Sequence, residues 1–227
     1  MSIAYNTAIV TSGLILYLDA ANPKSAQAGW SVWNDVSGYN STVTMSGSPS
    51  LTTLGGATCY RFTAVGQKFT GTLLGPQPTT DMTMETWIYP ETELSADDRA
   101  CLLLLNGASG AYMSLNKTNV QLSNYWYGHP SEGYWESGAS ISRNTWNSFS
   151  SVWNNSTSSC YQYVNGVKTT AGPTVGNSAT GSGINIGEEG ASRQFAGGLA
   201  FIRVYNRSLS DVEIAQNYNA LRGRYGV

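Results

Sequence analysis

Only from Leu209 onward does this chain carry a convincing helical period. The lack of one before that point decides most of what the chain can fold into. Its apolar residues come instead in short runs closed by Gly, Pro, Asn, Asp or Ser, which is the pattern of strands and tight turns. Residues 14–18 (Leu-Ile-Leu-Tyr-Leu) follow Gly13 and precede Asp19 and Ala-Ala-Asn-Pro, so they read as a strand buried on both faces. Residues 82–89 alternate: Met82, Met84, Thr86 and Ile88 face one way, and Thr83, Glu85, Trp87 and Tyr89 the other. Pro90 ends that run, and residues 91–99 read as an exposed loop. Further strands are expected at 42–45, 58–62, 101–105, 184–186 and 198–205, with 33–40 as a turn-rich loop. Hairpins are expected for 111–115 with 119–122 and for 146–153 with 159–164. Asn165-Gly166 is the strongest turn signal, because a type I′ turn needs positive φ at both central residues.

One helix stands against this pattern. Ser210-Asp-Val-Glu213 is a capping box, Leu209 and Ile214 hold the staple positions, and Ile214, Tyr218 and Leu221 continue an apolar stripe toward Gly223. Charged residues are only 11% of the chain, against about 25% in a typical soluble domain. Ser, Thr, Asn and Gly take their place, which suits strands joined by polar loops. The expected fold is therefore all-β: an antiparallel two-sheet sandwich with one short C-terminal helix. Residues 13–222 form the domain, 1–12 an N-terminal arm and 223–227 a tail. Ile3, Tyr5, Ile9 and Val10 give the arm an apolar character suited to docking on another chain.

The net charge is −2 and no Lys/Arg run occurs, which argues against nucleic-acid binding. No stretch approaches 18 apolar residues, so no membrane span is expected. The first ten residues lack the charged and apolar regions of a signal peptide, and Met1 reads as the start of a cytoplasmically made protein. Cys59, Cys101 and Cys160 are odd in number and without metal-ligand spacing, so they read as small buried hydrophobes. The Asn-x-Ser/Thr sequons at Asn40, Asn116, Asn154, Asn155 and Asn206 follow from a Ser/Thr/Asn-rich composition.

Several segments, in order, carry a resemblance. Gly13-Leu-Ile-Leu-Tyr-Leu-Asp19 resembles the opening strand of laminin-G-like jelly rolls, and Trp33-Asn-Asp-Val-Ser-Gly38 the loop after it. Met84-Glu-Thr-Trp-Ile88 is similar to the family's central strand. Tyr163-Val-Asn-Gly166 and the segment from Phe195 to Ile214 resemble its late hairpin and closing strand. The resemblance covers residues 13–222 and implies a concanavalin A-like jelly roll. Gly13 to Ser25 and Asn217 to Gly226 look still more like stand-alone jelly-roll proteins of tailed-bacteriophage particles. This second likeness implies a virion location, on capsid, tail or fibre. It also implies other virion proteins as partners, host-surface polysaccharide as a ligand, and by analogy a homo-oligomer.

The candidate site is Asn124-Tyr-Trp-Tyr-Gly-His-Pro-Ser-Glu-Gly-Tyr-Trp-Glu136, which holds five aromatics and the one histidine. Tyr125, Trp126, Tyr127, His129, Tyr134 and Trp135 form a candidate glycan platform, since ring faces take the apolar face of a sugar. The other reading is that these rings cap a core or pack against a neighbouring subunit. No cofactor is expected. Calcium is the one metal to weigh, at Asp35 with Asn40 or at Asp97 and Asp98. Against it, Asp35 suits an Asx-turn in its own loop, and Asp97 and Asp98 suit solvated surface.

Catalysis is not expected. Retaining glycosidases need two carboxylates about 5 Å apart. The glucanase pattern E-x-D-x-x-E is absent here, Glu85 has Thr83 and Trp87 as same-face neighbours, and Glu188 and Glu189 are adjacent. A lone histidine with no G-x-S-x-G leaves no triad. Glu85 and Arg203 are charges inside apolar strands, so they are expected to pair, across the sheets, in a structural role.

Overall fold

The computed structural model describes residues 8–92, 98–106, 110–127, 134–154, 156–171 and 181–227, with backbone only at 124–127, 134–136, 170 and 171. The strands are β1 (Leu14–Asp19), β2 (Val32–Asn34), β3 (Thr42–Ser46), β4 (Ser50–Leu54), β5 (Ala57–Phe62) and β6 (Lys68–Thr72). They continue with β7 (Met82–Pro90), β8 (Arg99–Asn106), β9 (Gly110–Asn116), β10 (Gln121–Tyr127), β11 (Tyr134–Ser140) and β12 (Asn147–Asn154). The last are β13 (Ser159–Val164), β14 (Val167–Ala171), β15 (Gly183–Ile186), β16 (Glu188–Glu189), β17 (Arg193–Gln194) and β18 (Gly197–Tyr205). Helix α1 (Asp211–Leu221) runs into a 3-10 turn at Arg222–Tyr225.

Two eight-stranded antiparallel sheets face each other. The first has the order β14-β13-β12-β7-β18-β5-β4, with β1 alongside β18. The second has the order β11-β10-β9-β8-β15-β6-β3-β2, and β16 and β17 form a small separate ribbon. This is the expected jelly-roll sandwich. Leu16, Met84, Phe149 and Ile202 from the first sheet meet Trp33, Phe69, Leu103 and Met113 from the second, all fully buried. Each such side chain contributes on the order of 1.5–3 kcal/mol over its exposed state. The three cysteines are buried and form no disulfide.

The alternation in β7 is realised. Met82, Met84 and Ile88 enter the core between the sheets, whereas Trp87 and Tyr89 lie on the outer face with Trp146, Phe201 and Tyr225. That outer face is dry because α1 and the 3-10 turn cover it. Trp87 is stacked between Tyr218, at 5.6 Å and 8° between planes, and Tyr225, at 4.1 Å and 16°. Helix and hairpin approach closely: a Cβ on Gly166 would lie 2.7 Å from the Tyr218 ring, and its φ of +75° also favours glycine. Asn165, with φ of 52°, completes the expected positive-φ pair between β13 and β14.

Gly223 does not close the helix. The chain tightens into the 3-10 turn and Gly226 takes the left-handed position, with φ of 71°. This carries Tyr225, from the residues expected to form a tail, into the aromatic layer. Arg224 donates to both Asp19 oxygens at 3.0 and 2.9 Å, fixing the C-terminus to the end of β1. Of the arm, Val10 is buried: its N–H donates to Asn217 Oδ1 at 2.8 Å, and Tyr205 Oη donates to its carbonyl at 3.0 Å.

The capping box forms as expected, and Glu213 also takes a bidentate ion pair from Arg207 at 2.6 and 3.0 Å. The Arg207 hydrogen bonds hold the Glu213 carboxyl down to about 2. A carboxyl depressed on folding stabilises above its unfolded pKa, and that contribution is lost as pH falls from about 4.5 toward 2. Both partners are almost one-third exposed, so the contribution is about 1 kcal/mol rather than the full shift. Glu213→Gln is expected to lose that much at pH 7 and to denature with a flatter pH dependence between pH 5 and 2. Parallel pH profiles for variant and wild type in urea melts would count against this.

Candidate functional site

The aromatic segment forms the end of the second sheet. β10 pairs with β9 along its whole length, and β11 is the last strand. Tyr125 lies opposite Tyr112 of β9 on one side and Tyr134 of β11 on the other. Directly opposed residues share a face, so Tyr112, Tyr125 and Tyr134 form a row across three adjacent strands. At about 4.8 Å per strand the row spans roughly 10 Å. Strand alternation puts Tyr127 on the same face. Trp126, opposite Ala111, and Trp135, opposite Asn124, belong to the other face. The register thus divides the candidate platform in two: a tyrosine row, and a tryptophan pair on the face of Ala111, Met113 and Leu122, which look to the core. His129 lies outside the described residues.

Further along the tyrosine face, Ser114 Oγ and Ser123 Oγ share a hydrogen bond of 2.7 Å, both fully buried. Tyr112 is buried there with Cys101 and Leu104. Burial raises the Cys101 thiol well above its ordinary range, so it is a packing residue rather than a nucleophile.

Asp35 is consumed by its own loop. Oδ1 accepts from the N–H groups of Tyr17 and Ser37 at 2.8 Å each, and Oδ2 accepts from Ser37 Oγ at 2.7 Å and Ser41 N at 3.3 Å. Asn40, with φ of 60°, supplies the left-handed turn in that loop. This is the Asx-turn role weighed against calcium. Asp98 is exposed and accepts from Thr118 Oγ1 at 3.4 Å, while Asp97 lies outside the described residues. Among the described residues no three His, Cys, Asp or Glu side chains converge as metal ligands do.

The glutamates whose side chains are described resolve into ion pairs. Glu91 pairs with Arg61, Glu188 with Lys68, Glu189 with Arg193 and Glu213 with Arg207. Glu85 pairs with Arg203 at 3.4 Å, but not across the sheets as expected. The two stand opposite each other on neighbouring strands of one sheet, on its outer face beneath α1. Ser150 Oγ donates to Glu85 Oε1 at 3.2 Å and Asn217 Nδ2 to Oε2 at 2.9 Å. The Arg203 guanidinium also lies 4.3 Å from the Phe201 ring centre. Burial pushes the Glu85 carboxyl up, against the pull of Arg203 and these hydrogen bonds. The arrangement is sealed, so it is structural. Asn217 and Tyr205 complete it, and only the presence of two unpaired-looking charges in apolar strands announced it in the sequence.

Half-buried Trp30 stands between two clefts of about 370 and 400 Å³ at the edge of the sandwich opposite β11.

Residues 63–215 match a family model described as "Concanavalin A-like lectin/glucanases superfamily". No curated protein matches the chain. Among solved structures, the receptor-binding domain of botulinum neurotoxin C/D mosaic serotype is 17% identical with a TM-score of 0.66, over 92% of this chain and 51% of that one. The botulinum neurotoxin serotype D ligand-binding domain in complex with N-acetylneuraminic acid is similar at 17% identity and a TM-score of 0.69, over the same shares. A Trypanosoma rangeli sialidase in complex with the inhibitor DANA matches at 20% identity and 0.65, over 93% of this chain and 33% of that one. The chain therefore spans about half of the neurotoxin domains and a third of the sialidase. At these identities the likeness is one of fold.

Proposed function

This chain belongs to the concanavalin A-like lectin/glucanase superfamily, and on that premise we propose that it is a non-enzymatic glycan-binding protein of a tailed-phage virion surface. The observation that carries the binding role is the register of β9, β10 and β11. It aligns Tyr125 with Tyr134 at the edge of the sheet, next to the buried Tyr112, with Trp126 and Trp135 on the reverse face. Two adjacent aromatics match one sugar ring, whose apolar face stacks on them while its hydroxyls bond nearby polar groups. The neighbouring neurotoxin domain solved with N-acetylneuraminic acid supports a carbohydrate ligand as a class.

The absence of catalysis rests on the carboxylates. Each glutamate whose side chain is described is held by an arginine or lysine, so among the described residues no two free glutamates face each other as hydrolysis of a glycosidic bond demands. The virion location rests on the likeness of residues 13–25 and 217–226 to phage particle proteins. In the fold these segments meet, through Asp19 with Arg224. The domain is taken as 13–222, with residues 1–12 and 223–227 flanking it.

An array of bacterial-surface polysaccharides is expected to retain the full chain. Tyr125→Ala and Tyr134→Ala are expected to weaken retention roughly 10- to 30-fold, and the protein is expected in purified particles by mass spectrometry. If nothing is retained, or both variants are retained as well as wild type, the glycan reading fails. Retention on particles without any glycan would favour a purely structural attachment protein.

A further inference from the structure

Residues 27–31 lead into β2, the last strand of the second sheet, and the β3–β4 connection crosses from that sheet to β4, the last strand of the first. The larger-walled cleft at Trp30 lies between these elements, with Met45 and Leu51 as apolar walls and Gln27, Ser48 and Ser50 as polar ones. The second concavity shares Gly29, Trp30 and Ser31, so the indole divides one extended groove. Volumes of about 370 and 400 Å³ fall within the range of small-ligand sites. The groove is seven strand spacings from β11 across the sheet, roughly 30–35 Å, so it is separate from the aromatic edge already described.

Its chemistry is selective. No Asp, Glu, Lys, Arg or His lines either cleft. A ligand carrying a carboxylate, phosphate or ammonium would lose its hydration there without a countercharge. An indole face with hydroxyls and an amide around it suits a ring that is apolar on its faces and hydroxylated at its rim.

A second observation points to a ligand. Tyr60 lines the cleft and is 1% exposed, yet its hydroxyl has no hydrogen-bond partner. The ring packs edge-on against Trp33 at 4.9 Å and Phe69 at 4.7 Å, which fixes it in place. Burial raises the phenol pKa, which keeps it protonated and able to donate. A buried hydroxyl left unbonded is costly, and native structures seldom keep one without a use.

We infer that the groove around Trp30 is a second binding site, with Trp30 as the stacking face and the Tyr60 hydroxyl as a bonding group, and that it takes a neutral saccharide. This stands independently of the β10–β11 reading. The test is an NMR titration of the labelled full chain with cellotetraose, maltotetraose, chitotetraose and sialyllactose. The indole N–H signal of Trp30 is assigned by its loss in Trp30→Ala. At least one neutral tetrasaccharide is expected to shift that signal, and sialyllactose is expected to leave it in place. Affinity is expected to fall about tenfold or more in Trp30→Ala, and several-fold in Tyr60→Phe with an unfolding midpoint no lower than wild type. Tyr134→Ala is expected to keep the Trp30 shift, which separates this site from the other edge. The inference is overturned if no neutral tetrasaccharide moves the signal, if sialyllactose moves it equally, or if Trp30→Ala binds as wild type does.

Discussion

Arg203→Met is expected to cost about 3–5 kcal/mol of stability at pH 8, because it leaves the Glu85 carboxylate buried without its cation. Glu85 is 3% exposed, and its remaining partners, Ser150 and Asn217, are neutral donors. The pH dependence follows from the direction of its shift. Burial already raises the Glu85 pKa in the native chain, so the folded state holds the proton more tightly than the unfolded one. A carboxyl raised on folding favours the native state at low pH, and that advantage is lost as pH rises from about 4.5 through the folded pKa. Without Arg203 the shift grows, so the variant is expected to recover part of its loss between pH 8 and pH 5. The double variant Glu85→Gln, Arg203→Met removes both charges and is expected to regain most of the stability, since replacing both partners is far less costly than orphaning one. Urea melts of the three proteins at pH 5 and 8 decide this. Equal losses for the single and double variants would mean that Arg203 acts through packing on Phe201 and Tyr17 instead.

Trp87→Ala is the second large effect, expected at about 3–5 kcal/mol. Trp87 is 1% exposed and stacks with Tyr218 of the helix and Tyr225 of the 3-10 turn. Its loss removes the surface on which both lie. The loss is therefore expected to be local as well as global: amide exchange should accelerate first in 211–225, before the strands between the sheets. Uniform acceleration across the domain would show that the C-terminal layer is not held by this stack.

These two predictions come from the part of the fold that was only half legible in the sequence. The alternation in β7 separated Met84 and Ile88 from Glu85 and Trp87, and the structure keeps that division. A period of two says which residues share a face, but not what covers it. With both faces of β7 apolar, the Glu85–Arg203 pair was expected to bridge the sheets. It lies within one sheet because α1 forms a third layer there. The capping box and the Asn165-Gly166 turn were readable because each is a local signal whose partners lie within four residues. The 3-10 turn after Leu221 was not, since it is held by Asp19 and Trp87, both over a hundred residues away.

The candidate sites differ in the same way. The density of aromatics at 124–136 is a composition signal and stood out at once. Its division into a tyrosine row and a tryptophan pair depends on the register of β10 against β9 and β11, which no spacing within the segment fixes. Trp30 gave no signal at all. It is a single aromatic among Gln, Ala, Gly and Ser, and its groove is completed by Met45, Leu51 and Tyr60 from three other strands.

The central claim is that this jelly roll binds a glycan at the β10–β11 edge and leaves it intact. The direct measurement takes the polysaccharide retained on the array and incubates it with isotope-labelled protein. The backbone amide shifts are then mapped and the recovered glycan is weighed by mass spectrometry. The shifts are expected to concentrate in β9, β10 and β11, and the glycan to keep its mass. Shortened chains with new reducing ends, or shifts that avoid those three strands, would contradict it.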